Sequence, residues 1–336
     1  MGWARRFVVL FVLLVAGRVS AQTRTLRLAT VVPDGSGFAR EIHAFTREVE
    51  TLTHGEVIVK WYFGGVAGDE QEVADRIVRG QLDGTASGGM MCTRLSQSMR
   101  ALRVQGLFQT ATETSYVLGR LRADLEREFL DAGFILLGTP VLGPDILFSR
   151  TPVRTLDDLR KIKLWRWQLD ESGILMSRTM GLQIVPGQLT DANRLYDDGQ
   201  VDGFIAIPSG ALAFQWSSRA RYVTDLRMGF LAGCMLLTQR GFDRLTLAQQ
   251  QIVRSAAAKA SARIEDMTHT QDSQLIGGLF HRQGLESLPP SQELRTEFFA
   301  AGRRARDQLG ETLVPLELLQ KTLGWLADFR AEHVGN

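Results

Sequence analysis

Strand-like and helix-like segments alternate along the first part of the chain, and this alternation limits the fold more than any other feature. Residues 25–32 (Thr-Leu-Arg-Leu-Ala-Thr-Val-Val) alternate and are rich in β-formers, so they read as a strand ended by Pro33-Asp34-Gly35. Phe38, Ile42, Phe45, Val49 and Leu52 then recur at spacings of three and four, which predicts an amphipathic helix with Ser36 as its N-cap. Residues 56–63 predict a second strand. Gly64-Gly65-Val66-Ala67-Gly68 turns into a helix over 73–79, and Gly80 to Gly88 leads through a third strand. Strand–helix–strand units of this kind need a parallel sheet flanked by crossover helices. The Gly64–Gly68 turn lacks the Gly-Lys-Ser/Thr of a phosphate loop and the spacing of a dinucleotide fingerprint, so it reads as a tight strand-to-helix turn.

The later chain keeps the pattern. Helices are expected within 113–131, a strand over 134–138, and a break at 139–144 where the chain crosses into a second unit. There, 146–148 is expected as a strand, Thr155 to Asp158 as a capping box opening a short helix, and 163–167 as another strand. A helix over 171–180, a strand before Pro186, a helix over 191–198 and a strand over 201–208 follow. Residues 211–216 and 222–226 are expected to return to the first unit, with 230–238 as one strand. Thr246 caps a long helix ending before Gly277-Gly278, and two last helices cover about 293–309 and 316–331.

The N-terminus has Arg5 and Arg6, then a short uncharged apolar run over 7–16, then Val19-Ser20-Ala21. This is the layout of a cleaved secretory signal, with cleavage expected after Ala21, and the run is shorter than the ~20 residues that span a bilayer. Arg5, Arg6 and Arg18 leave with the signal, so 39 basic against 37 acidic residues become a near balance. No basic stripe with interleaved aromatics argues for nucleic acid. The remaining length suits two domains. Cys92 and Cys234 face an oxidising compartment, and the sequence leaves open whether they pair. Two cysteines and five scattered histidines make no zinc spacing, and no cofactor or metal is expected.

Three segments in this order, Thr151 to Lys163, Leu195-Tyr-Asp-Asp-Gly-Gln-Val-Asp-Gly203 and Phe242 to Gln250, resemble the DctP family of TRAP-transporter periplasmic solute-binding proteins. The resemblance runs from about Leu26 to Ala256. It implies an α/β, two-lobed, type II periplasmic-binding-protein-like fold with mostly parallel sheets flanked by helices and an interlobe cleft. The expected division is a signal peptide at 1–21, lobe I at 22–139 and 212–250, lobe II at 140–211, and C-terminal helices at 251–336 packing across the lobes. It also implies a small-molecule ligand and TRAP-type membrane permease subunits as partners. Some family members with apolar sites are linked to a periplasmic helical-repeat partner.

Where the family strand usually reads Lys-Ile-Arg-Val, with an Arg that clamps a ligand carboxylate, this chain has Lys163-Leu-Trp165-Arg166-Trp167-Gln168. Trp165 stands at the clamp position. By strand alternation Trp165 and Trp167 share one face and Arg166 points to the other. The Glu or Asn that the family usually carries after Asp-Gly is replaced by Phe204-Ile205-Ala206. Losing a bidentate Arg and gaining apolar wall favours an apolar or amphipathic ligand, since burying an unpaired carboxylate costs several kcal/mol. The alternative is a small carboxylate held by Arg166 through a bulge.

Ligands of open α/β sheets sit beyond the carboxyl ends of strands. The expected ligand set is therefore Pro33, Asp34, Ser87, Gly88, Met90, Met91, Phe108, Asp145, Trp165, Trp167, Gln168, Phe204, Ile205 and Trp216. Two other functional classes compete with this reading. A secreted hydrolase needs a nucleophile with a base, and neither Ser36 nor Ser209 lies in a Gly-x-Ser-x-Gly elbow; His43, His54, His269, His281 and His333 sit in polar surroundings. Non-catalytic binding is the expectation. A ligand sensor for a membrane receptor would bind in the same way.

Overall fold

The computed structural model describes residues 23–333, so the expected signal peptide and its cleavage point lie outside the described residues. The chain builds two sheets. The first contains β1 (Arg24–Ala29), β2 (Val57–Tyr62), β3 (Gly84–Ser87), β4 (Phe134–Gly138) and, after a long excursion, the strand Cys234–Thr238. The second is built from β5 (Val141–Ser149), β6 (Lys163–Trp167), β7 (Gln183–Gly187), β8 (Gly203–Ala206), β9 (Tyr222–Ala232) and, numbering Cys234–Thr238 as β10, the short β11 (Glu286–Ser287). The strand orders are β2-β1-β3-β10-β4 and β11-β9-β5-β8-β6-β7. This is the two-lobed α/β fold expected, with one difference. The sheets are mixed: β1 is parallel to β2 and β3, β6 to β7 and β8, and β9 to β11, but β5 runs antiparallel to β8 and β9, and β10 to β3 and β4. β5, β9 and β10 carry the chain between lobes, so no βαβ crossover joins them to these antiparallel neighbours.

The crossings also correct the reading of individual segments. Residues 139–144 do cross, but Pro144 does not break the chain: β5 runs unbroken through it, with register shifts absorbing the irregularity. Residues 222–226 do not return to the first lobe. They begin β9, the neighbour of β5 in the second sheet. The expected strand 230–238 is two strands in two sheets, and the chain passes between them at Gly233. The segment 113–131 is likewise two helices, Ala111–Arg120 and Arg122–Asp131.

Local chemistry explains the elements that position the cleft. Ser36 Oγ accepts from Ala39 N and starts the helix Gly37–Leu52, as its position before the apolar period predicted. Thr155 with Asp158, and Thr246 with Gln249, form complete capping boxes. The helix Leu247–Gln274 ends before Gly277-Gly278, as expected, and the chain then continues through a π-turn, Leu275–Leu279, into one further helical turn, Phe280–Arg282. Its alanines 256, 257 and 260 let it lie close on the first sheet beside Phe45 and Val49. Further along, Thr268 Oγ1 donates to Val141 O at 3.3 Å, so the same helix also fixes the start of β5 in the second sheet. Gly143 there has φ +124, and a Cβ would meet Asp272 Oδ2 at 2.6 Å; no other residue fits.

The second lobe has its own core of Ile146, Phe148, Trp165, Phe204, Trp216 and Phe280. Phe204 stacks on Trp216 with centroids 5.5 Å apart, and Trp165 lies 5.0 Å from Trp216. Gly187 makes room for this arrangement, since a Cβ would stand 2.8 Å from Trp165 Nε1.

Candidate functional site

A chamber of about 170 Å³ lies between the lobes, where the strand ends of both sheets converge. Its first-lobe wall comes from the β1–helix turn (Val32, Pro33, Phe38) and from the end of β3 (Ser87, Gly88, Met90). The facing wall comes from Trp165, Trp167, Ile205, Phe214 and Trp216, and the crossing strands supply Leu142, Asp145 and Leu231. The lining is mostly aliphatic and aromatic.

Nine of the fourteen expected residues line this chamber: Pro33, Ser87, Gly88, Met90, Asp145, Trp165, Trp167, Ile205 and Trp216. Five do not. Phe108 is fully buried in the large core that both lobes share and does not line the chamber. Met91 packs into that same core, its N–H donating to Glu70 Oε2 at 2.7 Å. Phe204 stands behind the wall, sandwiched between Tyr196 and Trp216. Gln168 is exposed past the end of β6. Asp34 is exposed in a neighbouring pocket and bonds His43 Nε2 at 2.9 Å.

Arg166 is the main correction to the expected geometry. Pairing of β6 with β7 and β8 is continuous, with no bulge. Trp165 and Trp167 both line the chamber, as alternation required, but so does Arg166, which was placed on the far side. The two-residue period fixes where the Cβ points, and a long side chain near a strand end can still run back toward the cleft. Its guanidinium is 4% exposed and bonds Asp170 Oδ2 from Nη2 and Nε, both at 2.7 Å. Arg103 completes the group: Nη1 donates to Asp145 Oδ2 at 3.0 Å and to Phe230 O at 3.1 Å, and Nη2 to Asp170 Oδ2 at 3.1 Å. The Gln105 amide, with its oxygen turned to Arg166, accepts from Nη1 at 2.8 Å and Nη2 at 3.2 Å.

Four buried charges thus form one apolar-walled corner, two cations against two anions. Burial works against the charge on Arg103, but Asp145 and Asp170 outweigh it and raise its pKa. Burial likewise pushes Asp170 up, yet Arg166 and Arg103 prevail and hold it at about 2. Asp170 also caps the helix Glu171–Thr179 through Gly173 N at 3.1 Å. A Cβ at Gly173 would collide with both Asp170 and Arg166. Arg103 and Asp170 were not found from sequence. The Arg166–Asp170 spacing of four was visible, but Arg103 meets partners 42 and 67 residues away, and nothing local marks it.

The first-lobe wall has a buried acid behind it. Burial raises the Glu70 carboxyl to about 7, against hydrogen bonds from Ser87, Met91 and Gly88 that favour the anion. Its neighbour Asp69 caps the helix Glu70–Val78 and reaches Trp167 Nε1 across the cleft at 3.1 Å. Cys92 and Cys234 are joined in a disulfide, which answers the question the sequence left open, and Cys234 borders the chamber. Ser36 Oγ is engaged in its cap, accepting from Ala39 N.

The family model of bacterial extracellular solute-binding protein family 7, DctP, matches residues 28–312. The chain belongs to the DctP family. Its members are solute-binding carriers, not enzymes. Solved structures share the fold at low identity. An extracytoplasmic solute receptor of Bordetella pertussis binding pyroglutamic acid is 18% identical, with TM-score 0.83, covering 91% of this chain and 100% of that one. A TRAP periplasmic solute-binding protein from Desulfovibrio desulfuricans with bound sn-glycerol-3-phosphate is 17% identical, TM-score 0.83, covering 91% and 97%. One from Haemophilus influenzae with bound L-gulonate is 13% identical, TM-score 0.83, covering 91% and 99%.

Proposed function

We propose that this DctP protein captures a small organic acid with an apolar body in its interlobe chamber, outside the cytoplasm, and hands it to TRAP-type membrane subunits. The observation that carries this reading is the chamber itself, an apolar enclosure between two lobes that ends in a corner holding Arg103 and Arg166. The body would pack against Trp165, Trp167 and Trp216. The acid would meet the guanidinium groups, exchanging places with part of their contact to Asp145 and Asp170. Relatives of the same fold bind pyroglutamic acid, L-gulonate and sn-glycerol-3-phosphate, all of them anionic at neutral pH, and this shifts the balance away from a purely apolar ligand. The signal-like N-terminus supports a periplasmic location, and the family assignment supports membrane subunits as partners. A helical-repeat partner in the periplasm would fit the same delivery role.

A second reading keeps the ligand apolar and uncharged. What favours it is the neutrality of the corner, where each cation is already paired. Native mass spectrometry of the purified protein, with calorimetry on a panel of carboxylates and on their uncharged amides, separates the two. Binding of acids but not amides, lost in Arg166→Leu, supports the organic-acid reading. Amides binding as tightly as acids would replace it with the second.

A further inference from the structure

At the pole of the first lobe away from the chamber, three arginines converge on the turn that enters β3. Arg27 comes from β1. Arg240 and Arg244 stand four apart, on the short helix Gln239–Asp243 after β10 and at its cap, so they face the same way. Asp83 precedes Ser87 by four residues, and Thr238 follows Cys234 by four, which puts the cluster about 13 Å along the strands from the chamber wall. None of the three arginines lines the chamber or the pocket beside it.

Among the described residues, Asp83 is the one acid within ion-pair distance of them. Its side chain is 1% exposed and both its oxygens are engaged. Oδ2 accepts from Arg27 N at 2.9 Å and Nε at 3.1 Å, and Oδ1 from Arg244 Nη2 at 2.7 Å. Arg27 Nη2 also donates to Gly80 O at 2.9 Å. Two guanidinium groups are thus fixed at the surface with N–H groups to spare, and Arg240 meets no acceptor among the described residues. Gly80 makes room for it: φ there is +71, and a Cβ would stand 2.8 Å from Arg240 Nη2 and 3.2 Å from Nη1.

Three guanidinium groups against one carboxylate leave two positive charges. The helix Glu70–Val78 ends at this turn, and its carboxyl end supplies only a partial negative charge. Its exposed Arg76 and Arg79 add positive charge, while Asp75 and Asp243, also exposed, pair with none of the three. Guanidinium forks match phosphate oxygens two at a time. Two exposed aliphatic side chains flank the cluster in the chain, Val78 at 85% and Leu247 at 79%. Basic groups beside exposed aliphatic ones suit a phospholipid surface.

We propose that Arg27, Arg240 and Arg244 form an oxyanion site, separate from the solute chamber, which takes a phosphate group of an anionic phospholipid or of free phosphate. On a lipid, the site holds the first lobe at the membrane surface.

Two probes separate the sources. Calorimetry uses inorganic phosphate, against sodium chloride at equal ionic strength. Co-sedimentation uses vesicles of phosphatidylglycerol with phosphatidylcholine, against phosphatidylcholine alone. The native protein is compared with Arg240→Gln/Arg244→Gln. Both side chains are exposed and Arg27 still pairs with Asp83, so the variant keeps its fold, which a melting curve verifies. The native protein is expected to partition onto phosphatidylglycerol vesicles, and the variant about thirtyfold less, at about fivefold for each arginine. Retention on those vesicles that the variant loses assigns the phosphate to lipid. Saturable phosphate binding without retention, also lost in the variant, assigns it to free phosphate. No response to either probe, or heat that chloride reproduces, would overturn the site. So would phosphate binding that the variant keeps, which would place the anion with Arg103 and Arg166 instead.

Discussion

Trp167 donates its indole Nε1–H to Oδ2 of Asp69 at 3.1 Å, and this bond ties the second lobe to the first across the cleft. The other oxygen of Asp69 has a separate task, accepting from Glu70 N at 2.7 Å as the cap of the helix Glu70–Val78. Asp69→Asn can keep the cap with its carbonyl oxygen while presenting an amide N–H₂ to the indole, where two donors cannot bond. Hinge closure depends on contacts made only in the closed arrangement, so one lost hydrogen bond of about 1 kcal/mol should weaken ligand binding about fivefold. Titration with a carboxylate that binds the native protein measures this. The melting temperature without ligand should stay nearly constant. A large fall in it would show that the residue matters as a cap more than as a bridge.

Arg166 and Asp170 are coupled, and the coupling has a thermodynamic signature. Removing one member of a buried ion pair strands the other charge, at about 3–5 kcal/mol. Arg166→Leu should therefore lower unfolding stability by that amount in a urea titration. Asp170→Asn keeps the cap on Gly173 and removes the charge. The double variant should lose less than the sum of the two, by about 1–3 kcal/mol. The pH limb follows from the same pair. Asp170 is held at about 2, below its ordinary value of 3.8, so its contribution is present above about pH 4 and is lost as pH falls toward 2. The acid limb of the stability curve should flatten in Asp170→Asn.

These two relationships mark the boundary of what the sequence makes legible. The strand Lys163–Trp167, the caps at Ser36, Thr155 and Thr246 and the walls at Pro33, Ser87 and Trp165 follow from period and cap chemistry, which act over a few residues. Crossings are harder. β9 and β10 form one apolar run, 230–238, and only Gly233 marks the point where the chain changes sheets. Arg166 shows a limit of another kind, since alternation assigns the Cβ and not the end of a long side chain. Arg103 could not have been found at all, because its partners come from β5 and from the start of a helix in the other lobe.

Glu70 should make the protein less stable at higher pH. Burial raises its carboxyl from an ordinary 4.5 to about 7. The folded state therefore holds a proton that the unfolded state releases between these values, and stability is full below about pH 4.5 and declines as pH rises to 7. The shift corresponds to about 3 kcal/mol. Asp272, also raised to about 7 by burial, acts in the same direction. Thermal melts at pH 5 and pH 8 should show a fall on going to pH 8. Glu70→Gln, which keeps the shape and cannot ionise, should reduce that fall, and an unchanged slope would assign the pH dependence elsewhere.

The bridge between Cys92 and Cys234 closes a loop of 142 residues. It joins the helix Met90–Leu95 to β10, and Cys234 pairs in register with Ser87 of β3. Constraining a loop of that length in the unfolded chain stabilises by up to about 5 kcal/mol in the chain-entropy model. The same bond holds Ser87 and Met90 in place as a wall of the chamber, so two effects should appear together in Cys92→Ala/Cys234→Ala. Scanning calorimetry should show a melting temperature lower by on the order of 10 °C, and a carboxylate that binds the native protein should bind more weakly, because the chamber wall is no longer fixed before the ligand arrives. If the melting temperature falls and the affinity holds, the bridge serves folding alone, and β3 with Glu70 is enough to shape the site.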